Sequence, residues 1–128
     1  MRFLPLIALI AMPAWAETSL QLGSGLTVVR SDVLFEPPGA YDAARQLVRL
    51  RYVSEELPEY SFERISGDFQ ELCERDGLAV ADDFAPNATQ LIVSLSSEPV
   101  VFGETAPNVV QYFDAFRRDG DTCIWEGL

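Results

Sequence analysis

The chain lacks histidine and lysine, so all nine of its basic side chains are arginines. A guanidinium group stays protonated and does not shuttle protons. The missing imidazole and side-chain amine exclude Ser-His-Asp and Cys-His catalysis, histidine-containing zinc motifs, and P-loop or Schiff-base chemistry. We therefore expect no cofactor, and we expect any catalysis to depend on carboxylates, tyrosine, cysteine or arginine.

Long apolar runs are lacking beyond the first sixteen residues. Arg2, the apolar stretch Phe3–Met12 and the small-x-small site at Ala14–Ala16 have the layout of a secretory signal peptide. The apolar stretch has about half of the roughly 20 residues that a membrane-spanning helix needs. We therefore predict that residues 1–16 are cleaved and that the mature chain is periplasmic, without a membrane span.

Removing 16 residues from 128 leaves 112, which is the size of one domain. We expect residues 17–24 to be a loose N-terminal segment and residues 25–128 to form the domain. Only Arg2 of the 9 basic and 20 acidic residues is in the leader, so 8 basic residues stand against 20 acidic ones, a net charge of −12. That charge disfavours nucleic acid and anionic membranes as partners, and it suits a basic protein.

Cysteine is scarce, since only Cys73 and Cys123 are present. They form neither a C-x-x-C motif nor a metal-ligand spacing, and no lysine or histidine is available to activate a thiol. An even pair in an oxidising compartment predicts a disulfide.

A run rich in β-forming residues predicts a strand over residues 26–35, and the alternation of side chains predicts strands over 46–54 and 90–96. In the strand over 46–54, Val48, Leu50 and Tyr52 face the core. After the acidic turn 55–59, a further strand over 60–65 would form a hairpin with Tyr52 opposite Phe62.

In that hairpin, Arg51 would lie opposite Glu63. Next along the chain, Ser66 has the character of an N-cap, and Phe69, Leu72 and Cys73 follow on one helical face. We expect this helix to end at Gly77, and Ile92 to face away from the core side of its strand.

Residues 108–126 allow two interpretations. A helix would present Val109, Tyr112, Phe113 and Phe116 as one stripe. A hairpin around an Asp119-Gly120 turn would pair Phe116 with Cys123, Ala115 with Ile124 and Asp114 with Trp125. We favour the hairpin because the segment is rich in β-branched and aromatic residues. The predicted fold class is therefore α+β, with a mostly antiparallel sheet of five or six strands and one helix on one face, tied to the C-terminal strand by a disulfide.

Several short stretches together resemble an uncharacterised family of short exported proteins from alphaproteobacteria. These stretches are Leu72-Cys73, Val100-Val101-Phe102-Gly103, Gln111-Tyr112-Phe113-Asp114 and Cys123-Ile124-Trp125-Glu126. The resemblance implies periplasmic residence and no particular activity, ligand or active residue.

Asp114 is the first candidate functional residue, because the hairpin would place its carboxylate between Tyr112 and Phe116 and facing Trp125. An apolar setting of that kind raises a carboxyl pKa and suits a functional role, whereas on the helix interpretation Asp114 is an exposed partner for Arg117 or Arg118.

Two arginine pairs are candidate contacts for an anion or a partner, with ordinary cross-strand ion pairs as the simpler explanation. They are Arg49 with Arg51 and Arg117 with Arg118. Three acidic groups have the oxygen ligands that Ca²⁺ prefers but lack EF-hand spacing, so solvated turns explain them better. They are Glu55 with Glu56 and Glu59, Asp82 with Asp83, and Asp119 with Asp121.

Because no catalytic constellation is visible, we expect a non-enzymatic periplasmic protein-binding or accessory module with an acidic surface. The alternatives are a carboxylate-based hydrolase or lyase, and a small Ca²⁺-dependent or ligand-binding domain. A flat aromatic patch would favour the binding module. Two close carboxylates in a deep pocket would favour the hydrolase or lyase, and several converging oxygens would favour the Ca²⁺-dependent domain.

Overall fold

The computed structural model describes residues 19–36 and 46–127. The predicted leader lies outside these residues, as do Glu17 and Thr18. The strands are β1 Ser19–Gln21, β2 Thr27–Glu36, β3 Leu47–Val53, β4 Gln90–Ser96, β5 Gln111–Asp119 and β6 Thr122–Trp125. The helical segments are α1 Phe62–Ile65, α2 Asp68–Leu72, a π-helical turn Cys73–Gly77, and α3 Leu78–Phe84.

The six strands form one sheet in the order β1-β2-β3-β4-β5-β6. Neighbours are antiparallel except β3 and β4, which are parallel. A parallel pair needs a long crossover, and the helical segments between β3 and β4 supply it. The predicted α+β class, with a mostly antiparallel sheet and a helix on one face, is confirmed. No helix among the described residues is long and apolar enough to cross a membrane.

The core lies between the sheet and the helical segments. Val48, Leu50 and Tyr52 of β3 are fully buried there, as the alternation predicts, and Phe69 and Leu72 of α2 face them. Each such aliphatic or aromatic side chain contributes about 1.5–3 kcal/mol when buried. We call this side of the sheet the helix face and the opposite side the outer face.

Gly77 does not end the helix, in contrast to the prediction. Its φ of −61° is helical, and α3 continues directly from it. A Cβ at this position would lie 2.8 Å from Leu50 Cδ1, so glycine lets the helix approach β3 closely. The glycine therefore serves close packing between layers rather than termination.

The hairpin predicted over residues 46–65 does not form. β3 pairs with β2 on one side and with β4 on the other, so neither edge is available to a following strand. A short 3₁₀ turn at Leu57–Glu59 leads instead into α1, and Ser61 rather than Ser66 provides the side-chain N-cap. Its hydroxyl accepts a hydrogen bond from the Arg64 N–H at 3.2 Å.

The N-terminal segment expected to be loose is held in place over its described part. Ser19–Gln21 pairs with β2, and Leu22 is buried. The Gly23 N–H donates to Glu71 Oε1 at 2.7 Å, and Arg75 donates to the Gln21 carbonyl at 2.9 Å. The segment is ordered because helix side chains bind its backbone.

Residues 111–125 form the favoured hairpin, but in a different register. Phe116 lies opposite Trp125 and Arg118 opposite Cys123. The two-residue loop is Gly120-Asp121, with a φ of +60° at Gly120. A type II′ turn needs positive φ only at its first central residue, which glycine supplies there. The register moves by two residues, so every side chain keeps its predicted face.

The predicted disulfide is present. Cys73, in the π-helical turn, is bonded to Cys123 of β6 across a Cα–Cα distance of 6.3 Å. The Cys123 backbone is also held by two side chains of the helical segment, because Gln70 donates to its carbonyl at 2.6 Å and Glu74 accepts from its N–H at 3.1 Å. The C-terminal strand is therefore fixed to the helix both covalently and by hydrogen bonds.

Candidate functional site

The first half of β5 has an unpaired edge. β6 is shorter than β5 and pairs with Phe116–Asp119. One more bond, from the Glu126 N–H to the Ala115 carbonyl at 2.9 Å, ends the contact. Within residues 19–36 and 46–127, no strand pairs with residues 111–114 along the edge of β5 that points away from β4. We call this stretch the open edge of β5.

Phe113 presents its backbone to solvent at the open edge of β5. In an antiparallel sheet, alternate residues direct their N–H and C=O groups to opposite neighbours. The Arg118 N–H bonds towards the β4 side, to the Thr89 carbonyl, whereas the Ala115 carbonyl bonds towards β6. Phe113 lies two residues before Ala115, so its N–H and C=O point in the same direction as those of Ala115, away from β4. Such a row of free backbone groups is a template for another strand.

Apolar side chains flank the open edge on both faces of the sheet. On the helix face, the Phe62 ring lies 5.3 Å from the Tyr112 ring, and Trp125 lies opposite Phe116 in β6. Phe62 is 49% exposed and Trp125 65%. On the outer face, Phe113 is 60% exposed, with Ile124 further along. Large exposed apolar groups that cluster in this way are typical of an interaction surface.

Asp114 lies among these aromatic side chains, where the hairpin interpretation placed it. Both of its carboxylate oxygens accept the Trp125 indole N–H, at 2.7 and 2.8 Å. Its Oδ1 also accepts the Ala115 N–H at 3.0 Å, which satisfies a donor that β6 leaves free. The carboxylate therefore positions Trp125 and completes the end of the β5–β6 pairing.

The two candidate arginine pairs differ in arrangement. Arg49 and Arg51 lie together on the outer face of β3, but their neighbours are Glu36 and Asp32 of β2, whereas the sequence predicted Glu63 opposite Arg51. Arg117 and Arg118 are not brought together. Consecutive strand residues point to opposite faces, so Arg118 bonds Asp82 of α3 while Arg117 is exposed on the outer face.

Four carboxylates surround a groove at the end of β3, on the outer face. The groove has a volume of about 1310 Å³, and Val29 and Val53 contribute an apolar part to its lining. Its carboxylates come from Asp32, Glu55, Glu56 and Glu98. Ser54, which also lines it, has a buried hydroxyl without a hydrogen-bond partner in the described structure. We call this feature the acidic groove.

The acidic groups do not assemble a metal site among the residues that the structure describes. No three carboxylate or cysteine side chains there lie close enough to hold a metal ion. In the Asp82–Asp83 pair, Asp82 binds Arg118. In the Glu55 group, Glu55 and Glu56 line the acidic groove.

Asp76 is a buried carboxylate that is not among the candidate residues predicted from the sequence. It accepts the Tyr52 hydroxyl at 2.7 Å and the Arg30 guanidinium at 2.7 Å. Burial, together with the neighbouring charge of Asp76, raises the pKa of Tyr52, which stays protonated as a donor. Spacing could have revealed this residue, because Asp76 follows Phe69 by seven positions and so shares its buried helical face.

Asp68 is a second buried carboxylate, only 3% exposed. It accepts hydrogen bonds from the Ser24 hydroxyl and from the Ser24 N–H. Burial raises the pKa of Asp68, against the opposing effect of the Ser24 hydrogen bonds. Asp68 and Asp76 are eight residues apart along the helical segment, a separation on the order of 12 Å at 1.5 Å per residue. Carboxylate pairs that act together on one bond are closer than this.

Comparison with known proteins found a match to one family model and no match to a curated protein or to a solved structure. The matching model is described as a family of unknown function, DUF6497, and it covers residues 7–128. Because the match extends over nearly the whole sequence, the chain belongs to the family of unknown function DUF6497.

Proposed function

We propose that this protein is an exported, non-enzymatic binding module that takes up an extended segment of another protein at the open edge of β5. One observation carries the proposal: Phe113 offers free backbone groups at an edge that exposed aromatic side chains flank on both faces. Strand addition uses this combination, since backbone hydrogen bonds supply affinity and side-chain contacts on alternate faces supply specificity.

Charge favours a basic partner. The mature chain predicted from the sequence has 8 basic against 20 acidic residues, a net charge of −12. A field of that sign accelerates association with cationic proteins and slows association with acidic ones. Asp114 and Glu126 add local negative charge where the β5–β6 pairing ends. We therefore expect a cationic extended segment as the bound element.

Export is supported by two independent features. The first sixteen residues have the layout of a cleaved signal peptide, and a disulfide ties the helix to the C-terminal strand. Disulfides persist in oxidising compartments such as the periplasm. We therefore propose that binding takes place in the periplasm.

Site-specific photo-crosslinking tests the proposal. A photoreactive phenylalanine analogue replaces Phe113 at the open edge or, as a matched control, Phe84 at the end of α3, which is 54% exposed. The oxidised protein is then irradiated in periplasmic extract. We expect one protein to crosslink through position 113 and not through position 84. Equal crosslinking at both positions, or none at 113, contradicts the proposal.

Two substitutions separate backbone from side-chain recognition in that complex. Phe113→Ala removes the aromatic contact and keeps the N–H, whereas Phe113→Pro also removes the N–H. Proline is tolerated on an edge whose N–H faces solvent, so the fold should persist. We expect both variants to weaken binding, and the proline variant to weaken it further. Equal affinities of the two variants would contradict strand addition.

The acidic groove is a second candidate surface for a basic partner. Its apolar lining, its four carboxylates and the unpartnered Ser54 hydroxyl favour a cationic polypeptide there. The triple variant Glu55→Gln, Glu56→Gln and Glu98→Gln tests it. Its matched control is Asp83→Asn, Asp119→Asn and Asp121→Asn, in which Asp119 and Asp121 lie at the opposite end of the sheet. Loss of the crosslink at position 113 in the first variant alone would extend the binding site to the acidic groove.

A carboxylate-based hydrolase or lyase receives less support. The buried carboxylates Asp68 and Asp76 are engaged by Ser24 and by Tyr52 and Arg30, and Asp114 is engaged by Trp125. These bonds hold the fold together, so none of the three carboxylates is free to act on a substrate bond.

A further inference from the structure

A small cavity lies on the outer face, between the sheet and the segment 100–104 that follows β4. Its volume is about 190 Å³. Ile92, Phe102 and Phe113 provide apolar walls, and Arg49 and Arg51 lie among its lining residues. Because most ligand pockets are larger, at about 300–1,000 Å³, this cavity suits only a small molecule. We call it the arginine cavity.

The two guanidinium groups are held in place by the protein. Arg51 donates to the Val100 carbonyl at 2.8 Å, and Arg49 donates through Nε to Glu36 at 2.6 Å. The Phe102 ring lies over both groups, at 5.1 Å from Arg49 Cζ and 5.7 Å from Arg51 Cζ. Packing against an aromatic face fixes the orientation of a guanidinium, so both groups are ordered before any ligand binds.

Each arginine keeps N–H donors that no group among the described residues accepts. A guanidinium has five N–H donors, and the bond described for Arg49 uses only Nε. The contact between Arg51 and Asp32 is 3.5 Å, the upper limit for a hydrogen bond. These carboxylates balance the two positive charges without occupying the remaining donors.

Ser94 provides an independent indication of a polar ligand. It lies directly opposite Arg51 in the β3–β4 pairing and opposite Phe113 in the β4–β5 pairing. Its hydroxyl is buried and has no hydrogen-bond partner in the described structure. Buried hydroxyl groups without a partner are uncommon, and a bound acceptor is one way to satisfy them.

We infer that the arginine cavity binds a small monocarboxylate with an apolar body. The carboxylate accepts from the guanidinium of Arg51 or Arg49 and from the Ser94 hydroxyl, and the apolar body lies against Phe102, Phe113 and Ile92. A single negative charge suits the cavity, because Asp32 and Glu36 already offset much of the charge of the two arginines. The inference does not rest on partner binding at the open edge of β5.

Benzoate is the probe that tests this site, with neutral benzamide and inorganic phosphate as comparators. Nuclear magnetic resonance of the ¹⁵N-labelled oxidised protein follows the amide signals of Ser94 and Arg51. We expect saturable shifts with benzoate at about 10 mM, as a small ligand requires, and much weaker effects of benzamide and phosphate. Equal binding of benzamide would show that the cavity does not recognise the carboxylate. Tighter binding of phosphate than of benzoate would show that the cavity prefers an inorganic anion, and either result overturns the inference.

Four variants locate the site. Arg51→Gln should weaken benzoate binding about tenfold, because it removes a charge-assisted hydrogen bond. Since Arg51 also holds Val100, Ser94→Ala provides a second test that leaves the segment 100–104 in place, and it should weaken binding severalfold. Glu104→Gln should strengthen binding, because Glu104 lines the cavity and repels an anion. Arg117→Gln, exposed elsewhere on the outer face, should change nothing.

The outcomes of these variants decide the inference. Unchanged benzoate affinity in both Arg51→Gln and Ser94→Ala overturns it, as does the absence of any saturable shift in the unsubstituted protein. A loss of affinity in Arg117→Gln equal to that in Arg51→Gln also overturns it, because it would show attraction to surface charge in general.

Discussion

Trp125 and Asp114 are joined by a bifurcated hydrogen bond, in which the indole N–H donates to both carboxylate oxygens at 2.7 and 2.8 Å. The pair lies on the helix face at the point where β6 ends and the open edge of β5 begins. The contact holds a 65% exposed indole in one orientation opposite Phe116. A pre-oriented aromatic side chain loses less conformational entropy when a partner binds than a free one does.

The first prediction concerns this pair. The sequence has two tryptophans, and the other, Trp15, lies in the predicted leader, so tryptophan fluorescence of the mature protein reports Trp125 alone. Asp114→Ala should change the emission and should cost about 1 kcal/mol of stability, through the lost hydrogen bond. Asp114→Asn keeps an acceptor and should stay closer to the unsubstituted protein. Identical spectra for all three proteins would show that the contact is absent in solution.

The second prediction concerns the disulfide. Closing a loop of 50 residues between Cys73 and Cys123 stabilises the fold by about 4 kcal/mol in the chain-entropy model. A reducing agent should therefore lower the urea midpoint of the unsubstituted protein. The double variant Cys73→Ala, Cys123→Ala should start from the lower midpoint and should not respond to the reducing agent. A response of the double variant equal to that of the unsubstituted protein would contradict the assignment.

The third prediction concerns Gly77. Gly77→Ala places a methyl group 2.8 Å from Leu50 Cδ1, in a core where Leu50 is fully buried. We expect a loss of about 1–3 kcal/mol, the usual cost of overpacking. Gly67→Ala is the control, because its φ is −76° and a Cβ there meets nothing within 4 Å. That change should be neutral or stabilising in urea unfolding. The reverse order of stabilities would show that the helix and β3 are further apart than described.

The fourth prediction is a pH dependence of opposite sign at two carboxylates. Burial raises the pKa of Asp68, so its contribution is most favourable below the unfolded value of about 4 and declines as the pH rises through the folded value. Asp68→Asn keeps a polar group beside Ser24 and removes the charge. The variant should therefore gain stability relative to the unsubstituted protein between pH 4 and pH 7.

Glu71 provides the comparison for Asp68, because its pKa is shifted in the opposite direction. Burial opposes its ionisation, but the hydrogen bonds from the Gly23 N–H and from Arg75 outweigh that effect and hold the pKa of Glu71 below its usual range. Its contribution is present above the unfolded pKa and is lost as the pH falls through the folded value. Glu71→Gln should therefore be less stable at pH 7, with a deficit that shrinks in acid. Parallel pH profiles for the two variants would contradict both assignments.

Local sequence patterns predicted the parts of the fold that depend on short-range periodicity. The alternation in β3 and β4 identified both strands, and it correctly assigned Val48, Leu50 and Tyr52 to the core. It could not show that β3 and β4 are adjacent and parallel. That adjacency leaves β3 without a free edge, which is why the predicted strand over 60–65 is the helix α1 instead.

The sequence identified Asp114 and Trp125 of the candidate site, but it did not predict the open edge of β5 beside them. The sequence predicted that Asp114 lies beside Trp125. The contact is present in the structure although the register differs by two residues, because a change of two residues keeps every side chain on its predicted face. The open edge of β5 depends on where β6 ends, four residues after the turn, and nothing in the residues of β5 encodes that. The segment 100–104 lies over the outer face through contacts with Arg49 and Arg51, which are distant in sequence.

Hydrogen exchange at the Phe113 amide is the most direct test of the binding surface. Its N–H faces solvent at the open edge of β5, so it should exchange rapidly in the free protein. When the partner identified by crosslinking at position 113 binds, strand addition predicts that this amide becomes protected, while the Arg118 amide, already bonded to Thr89, changes little. Partner binding that leaves exchange at Phe113 as fast as in the free protein would contradict the account.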